Sequence, residues 1–229
     1  MALVQIQHVT KVFKESVTQQ VHALAGLSLE IAPGSFVALS GPSGSGKTTL
    51  LNLIGCLDKP TSGKIILDGE EVSALPQAYL SQIRLRKIGF IFQDYNLIPT
   101  FTAAENIEYV LWLQGVPTAE RRQRTQEICK RFGIEKLIQR HPSQMSRGQQ
   151  QRVAVARAIV HHPKIVLGDE LTANLDHKTG RELLEFLKSL NEYEGITFVY
   201  ATHDPVMIEY ANAIIKMQDG QLVEYSTAR

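Results

Sequence analysis

The first seventy positions alternate short, β-branched apolar runs with Gly and Pro turns. Leu3 to Val9, Leu27 to Ile31, Phe36 to Leu39 and Lys64 to Leu67 read as strands, punctuated by Pro33-Gly34 and closed by Asp68-Gly69. Together they predict an antiparallel sheet. From Lys47 to Leu57 the apolar spacing becomes helical, until Asp58-Lys59-Pro60 stops it. Ile88 to Phe92 is a further strand. Between Tyr95 and Met145 two helical patterns occur without strand signals, Ala103 to Leu113 ahead of Gly115 and Ala119 to Phe132 ahead of Gly133. Helix and strand then alternate. Helices are expected over Gly148 to Val160, Thr179 to Leu190 and Pro205 to Tyr210, with strands over Lys164 to Leu167, Ile196 to Ala201 and Ala213 to Met217. Such alternation predicts a parallel α/β sheet. The expected architecture is one α/β domain over 1–229. Residues 1–94 and 146–229 form the core with an N-terminal antiparallel β subdomain, and 95–145 form a helical insertion.

Composition narrows the classes of partner. The 24 Lys and Arg against 23 Asp and Glu leave a formal charge of +1, which disfavours a duplex-binding protein and predicts no nucleic-acid partner. Hydrophobic content of 44% with 21% charged residues is that of a globular domain. No apolar run approaches the roughly 20 residues that cross a bilayer, and the start lacks a signal-peptide pattern, so a cytoplasmic chain is expected. Cys56 and Cys129 form no CxxC pair and are expected to be reduced and inert.

Chemistry enters at Gly41-Pro42-Ser43-Gly44-Ser45-Gly46-Lys47-Thr48, which fits G-x-x-x-x-G-K-[ST] between a strand and a helix. Such a loop turns successive N–H groups, and the positive end of the following helix, toward nucleotide phosphates. Lys47 is expected to reach the β- and γ-phosphates and Thr48 to ligate Mg²⁺. A second strand, Ile165-Val166-Leu167-Gly168, delivers Asp169 and Glu170 at its carboxyl end, where open α/β sheets bind ligands. Asp169 suits Mg²⁺, usually through water, and Glu170 suits orientation or deprotonation of an attacking water. An acidic helix N-terminus is the plainer alternative for this pair.

With these elements in place the chain resembles the nucleotide-binding subunits of ABC transporters over nearly its whole length. Gln93 is similar to the family's Q-loop glutamine, which contacts Mg²⁺ or water and senses the membrane partner. Met145-Ser146-Arg147-Gly148-Gln149 occupies the place of the Leu-Ser-Gly-Gly-Gln signature and is followed by Gln150-Gln151-Arg152. Asn174-Leu175-Asp176 resembles the D-loop, His203 the switch histidine, and Phe13 the aromatic that stacks on adenine. Taken singly, Gln93 reads as a strand-end polar residue, Asp176 as a helix N-cap, His203 as a loop histidine and Phe13 as a core aromatic. The stretches Asn52 to Gly69, Arg86 to Asn96, Asn106 and Thr202 to Ala211 further resemble the ATPases of lipoprotein-releasing and macrolide-exporting systems.

The resemblance implies a P-loop NTPase core and a two-site cycle. ATP and Mg²⁺ bind through Phe13 and the loop from Gly41 to Thr49, with Thr48, Gln93 and Asp169 at the metal. Ser146, Gly148 and Gln149 of a second copy complete the site, and Asp176 is implied among the nucleotide-binding residues. Glu170, His203, Gln93 and Lys47 carry hydrolysis. The implied partners are a second copy in the ATP-bound state and integral membrane permease subunits, with the chain peripheral on the inner membrane face. Two positions depart from the family pattern: Arg147 stands for the first signature Gly, and Leu171 for the Pro after the catalytic Glu. If the backbone at 147 needs φ > 0, Arg147 hinders closure; its guanidinium could instead bind the γ-phosphate. Hindrance is the favoured reading, with a weakly hydrolysing regulatory ATP-binding module as the alternative function. The basic groups Arg84, Arg86 and Lys87, and Arg121, Arg122, Arg124, Lys130 and Arg131, are expected to coat solvated helix faces. A rim toward a partner or lipid head groups is the other reading.

Overall fold

A computed structural model describes residues 1–14, 20–172 and 175–227. The chain begins with two long strands, β1 (Val4–Lys14) and β2 (Gln20–Ile31), followed by β3 (Phe36–Ser40) and helix α1 (Lys47–Ile54). Strands β4 (Ser62–Leu67) and β5 (Glu70–Glu71) precede α2 (Gln77–Lys87) and β6 (Ile88–Ile91). Helices α3 (Ala103–Leu113) and α4 (Thr118–Arg131) lead to α5 (Arg147–Ile159), β7 (Ile165–Asp169) and α6 (His177–Glu194). The chain closes with β8 (Thr197–Ala201), α7 (Pro205–Tyr210), β9 (Ala213–Gln218) and β10 (Gln221–Thr227).

Two sheets result. One is antiparallel with order β2-β1-β4-β5, and the other runs β10-β9-β3-β8-β7-β6, parallel from β9 to β6 with β10 antiparallel at its edge. Phe36 to Leu39, expected in the antiparallel sheet, lies instead at the centre of the parallel one, between β9 and β8. The physical reason is visible in its composition: Phe36, Val37, Ala38 and Leu39 are all fully buried, which requires cover on both faces of the sheet. Alternate residues enter two cores. Phe36, Ala38, Val166, Phe198 and Tyr200 face the core built with α3, α5 and α6, while Val37, Leu39, Leu167, Val199 and Ile215 face α1 and the antiparallel sheet.

Helix ends follow local capping chemistry. Thr102 and Glu105 form a reciprocal capping box at α3, Asp176 accepts from the N–H groups of Lys178 and Thr179 at α6, and Asp204 accepts from Val206 at α7. The helix expected to reach Leu57 stops at Ile54, with Gly55 as its C-cap. Helix α2 has no counterpart in the periodicity, because only Leu80 and Ile83 of its side chains are buried. Strand β10 is missed for a related reason: it pairs only with β9 and none of its residues is buried. Gly89 lets β6 lie directly against α5, since a Cβ there would come within 2.1 Å of the Ala158 carbonyl oxygen.

Many of the basic side chains are occupied within the fold. Arg84 donates to the Cys56 carbonyl at 2.7 Å, Lys87 pairs with Asp68 at 3.1 Å, and Arg131 pairs with Glu194. Arg124 meets Glu120 one turn away on α4 at 2.5 Å. Both cysteines are free and buried, and burial pushes each thiol up to about 11, so neither holds a reactive thiolate at neutral pH. Among the described residues, no helix is long and apolar enough to cross a membrane.

Candidate functional site

The phosphate loop leaves β3 at Ser40 and enters α1 at Lys47. Gly41 and Gly46 take φ of 149° and 98°, and a Cβ would fall 2.1 Å from the Met217 carbonyl oxygen at the first and 2.5 Å from that of Ala23 at the second. The loop therefore threads between β9 and β2 with no room for side chains at these points. Lys47 is 9% exposed and donates to the carbonyls of Gly41 and Pro42, both at 2.8 Å. Its ammonium is thus held over the mouth of the loop. Around it lies a cavity of about 700 Å³ lined by Gly41, Ser43 to Thr49, Gln93, Asp169, Glu170 and His203. Pro42 contributes its carbonyl to Lys47, while Val21, His22 and Ala23 of β2 form a wall that the sequence pattern does not identify.

The parallel register brings the acids to this cavity. Asp169 pairs with Ala201 across β7 and β8, so the chain segments leaving the two strands emerge side by side. Asp169 accepts from the Thr48 hydroxyl at 2.9 Å, and burial raises its carboxyl pKa above the usual range, opposed by that hydrogen bond. Thr48, Asp169 and Gln93 are oxygen-bearing groups in one cavity, a donor set suited to a hard divalent cation that also takes phosphate oxygens. No cluster of three His, Cys, Asp or Glu able to hold a metal alone occurs among the described residues. Glu170 sits at φ 49°, in the left-handed region, with its N–H donated to Ala201 at 3.1 Å. Its carboxylate lies 2.8 Å from His203 Nδ1.

The remaining expected residues lie elsewhere. Phe13 is 41% exposed with the Lys11 ammonium 4.8 Å from its ring centroid, so the core-aromatic reading fails; its cross-strand neighbour Val21 lines the cavity. Ser146, Gly148 and Gln149 are at the N-terminus of α5, outside this cavity. Ser146 accepts from the Gln149 N–H at 3.3 Å and the Gln149 side chain accepts from the Ser146 N–H at 3.0 Å, a capping box. Arg147 opens α5 and is not among the non-glycine residues with positive φ, so backbone strain at 147 is excluded as a source of hindrance. Asp176 caps α6 and borders a second cavity of about 380 Å³ that also touches Glu170 and His203. Asn174 lies outside the described residues.

Two side chains of α5 join the site without being singled out by the sequence. Half-buried Arg157 donates to the carbonyls of Tyr95 at 2.7 Å and Asn96 at 2.6 Å, holding a pair of left-handed residues just after Gln93. Gln151 is buried and donates to the Leu171 carbonyl at 3.0 Å. In the sequence, Gln151 merely extends a polar run and Arg157 interrupts an apolar one.

This sheet order, with a phosphate loop and an acidic strand end converging beside His203, defines a nucleotide-binding cassette. The chain belongs to the ABC transporter family, whose sequence profile matches residues 24–173. It is 47% identical to an uncharacterised ABC transporter ATP-binding protein of Thermotoga maritima, over 89% of this chain and 86% of that one. Identity to the ABC transporter ATP-binding protein MJ0796 of Methanocaldococcus jannaschii is 44%, over 96% and 95% of the two chains. Macrolide export ATP-binding/permease protein MacB of Syntrophobacter fumaroxidans is 42% identical over the full chain, which spans 32% of that longer protein. A dimeric structure of MJ0796 in a post-hydrolysis state with ADP and Pi superposes with a TM-score of 0.92 at 43% identity, covering 99% of both chains. The chain is an ABC transporter ATP-binding domain.

Proposed function

We propose that the chain hydrolyses ATP as a motor subunit. Two copies close on two ATP molecules, and closure and hydrolysis drive a membrane permease of the lipoprotein-releasing or macrolide-exporting kind. The observation that carries this reading is the convergence of Lys47, the Thr48–Asp169 pair and the Glu170–His203 pair on one cavity. Phe13 takes the base, and the loop from Gly41 to Thr49 surrounds the phosphates. Thr48, Asp169 and Gln93 would hold Mg²⁺, which would supply charge neutralisation to the phosphates. Glu170 orients a water and accepts its proton as the water oxygen attacks the γ-phosphorus and ADP leaves. His203 holds the γ-phosphate, and its hydrogen bond fixes the Glu170 carboxylate. Ser146, Gly148 and Gln149 of the second copy complete the site near Asp176. This electrostatic arrangement supplies most of the rate enhancement.

The test is phosphate release from Mg·ATP by the purified chain alone and with its co-purified permease, beside sedimentation with and without ATP. Turnover and ATP-dependent dimerisation are expected; ATP binding with neither would leave the regulatory alternative. That alternative rests on hindrance at residue 147, by a strained backbone or by a crowding side chain, and the ordinary helical geometry at the start of α5 removes the first of these grounds. An exposed guanidinium on a helix N-terminus favours an approaching phosphate. Arg147→Gly, made in a Glu170→Gln background to hold ATP, is therefore expected to weaken the dimer about tenfold or more, as for loss of a charge-assisted hydrogen bond. Sedimentation reads the change, and a tighter dimer would mean that the side chain obstructs closure.

A further inference from the structure

Glu170 stands in a conformation that a non-glycine residue adopts only when its surroundings enforce it. One backbone and one side-chain hydrogen bond bracket the corner. On one side the Glu170 N–H is donated to Ala201 of β8. On the other the Leu171 carbonyl accepts from the Gln151 side chain of α5. The Leu171 side chain folds back over Gly168, where a Cβ would meet it at 2.5 Å, so the turn is tight and covered. Gln151 is only 1% exposed, and its Oε1 is buried without a hydrogen-bond partner among the described residues. An apolar residue of the same size would fill this space without stranding that oxygen. The half of the amide in use is the donor, and among the described residues its acceptor is the carbonyl of the residue after Glu170.

We propose that Gln151 is a positioning residue for hydrolysis: its amide pins the Leu171 carbonyl and so holds the Glu170 carboxylate in register with His203. The proposal rests on Glu170 being the group that activates water. It also has a directional consequence. Gln151 lies in the same helix as the Ser146 cap, so a displacement of the α5 N-terminus is delivered to the Leu171 carbonyl and to the carboxylate beside it. The signature end, proposed to meet ATP held by a second copy, thereby reports to the water-activating group of its own cavity.

The experiment is a double-mutant cycle on full-length protein, using Gln151→Met, Glu170→Gln and the pair, read as kcat and KM for Mg·ATP with single-turnover phosphate release for the slow variants. Gln151→Met is expected to lower kcat about tenfold with KM changed less than about twofold. In the Glu170→Gln background it should lower the residual rate less than about twofold, because the group it positions is already gone. Gln151→Leu repeats the measurement should the Met variant not fold. An unchanged kcat in Gln151→Met beside a slow Glu170→Gln overturns the positioning role alone, as does an undiminished tenfold loss in the double variant. Normal turnover in Glu170→Gln overturns the water-activating assignment and this proposal with it.

Discussion

Glu170→Gln is expected to slow ATP hydrolysis by a factor on the order of 10² or more while leaving ATP affinity unchanged. The substitution is nearly isosteric, so the Glu170 N–H bond to Ala201 and the pinned Leu171 carbonyl both persist. What disappears is an oxygen able to accept a proton from water at the place where the carboxylate now meets His203 at 2.8 Å. No phosphate ligand proposed for the loop is touched. ATP should therefore bind and then remain, and the closed dimer should outlive that of the unaltered chain. Phosphate release under Mg·ATP is the measurement; normal turnover would remove Glu170 from the chemistry.

Lys47→Ala is expected to act on binding instead. The ammonium is nearly buried and is held by two backbone carbonyls, so its charge is poorly screened and already aimed into the cavity. Its loss removes a charge-assisted contact worth roughly 1.5–3 kcal/mol, or about a 10- to 150-fold loss of ATP affinity. The two carbonyls also lose their donor, which loosens the loop that presents its N–H groups. Calorimetric titration with ATP checks the result, and an affinity equal to that of the unaltered chain would overturn the phosphate-loop assignment.

The parts of this molecule legible in its sequence are those whose chemistry is local. Thr102 with Glu105 and Asp204 ahead of Pro205 mark helix starts by short-range hydrogen bonds, and the expected boundaries of α3 and α7 match the observed ones. Lys47, Thr48, Asp169 and Glu170 were legible because motif and strand end place them independently of the rest of the chain. Sheet membership was not. Phe36 to Leu39 reads as a strand from its own residues, but its neighbours β8 and β9 lie more than 150 positions away, and the pattern carries no record of them. Gln151 and Arg157 escaped for the same reason. Each acts by donating to a distant backbone carbonyl, and a carbonyl has no identity in a sequence.

Gly89 gives the cassette a mechanical property. Because its bare backbone meets the Ala158 carbonyl, the last turns of α5 are seated on β6 like a shaft on a bearing, with no side chain between to act as a cushion. Tilting α5 by even a fraction of an ångström there presses backbone on backbone, and close-packed interiors yield little to such pressure. Bending is left to the connections 92–102 and 132–146, which lack a continuous hydrogen-bonded helix or ladder. A load on the α5 N-terminus therefore travels through a stiff member into the sheet, and α3, packed on α5 in the shared core, delivers its own load to that same member.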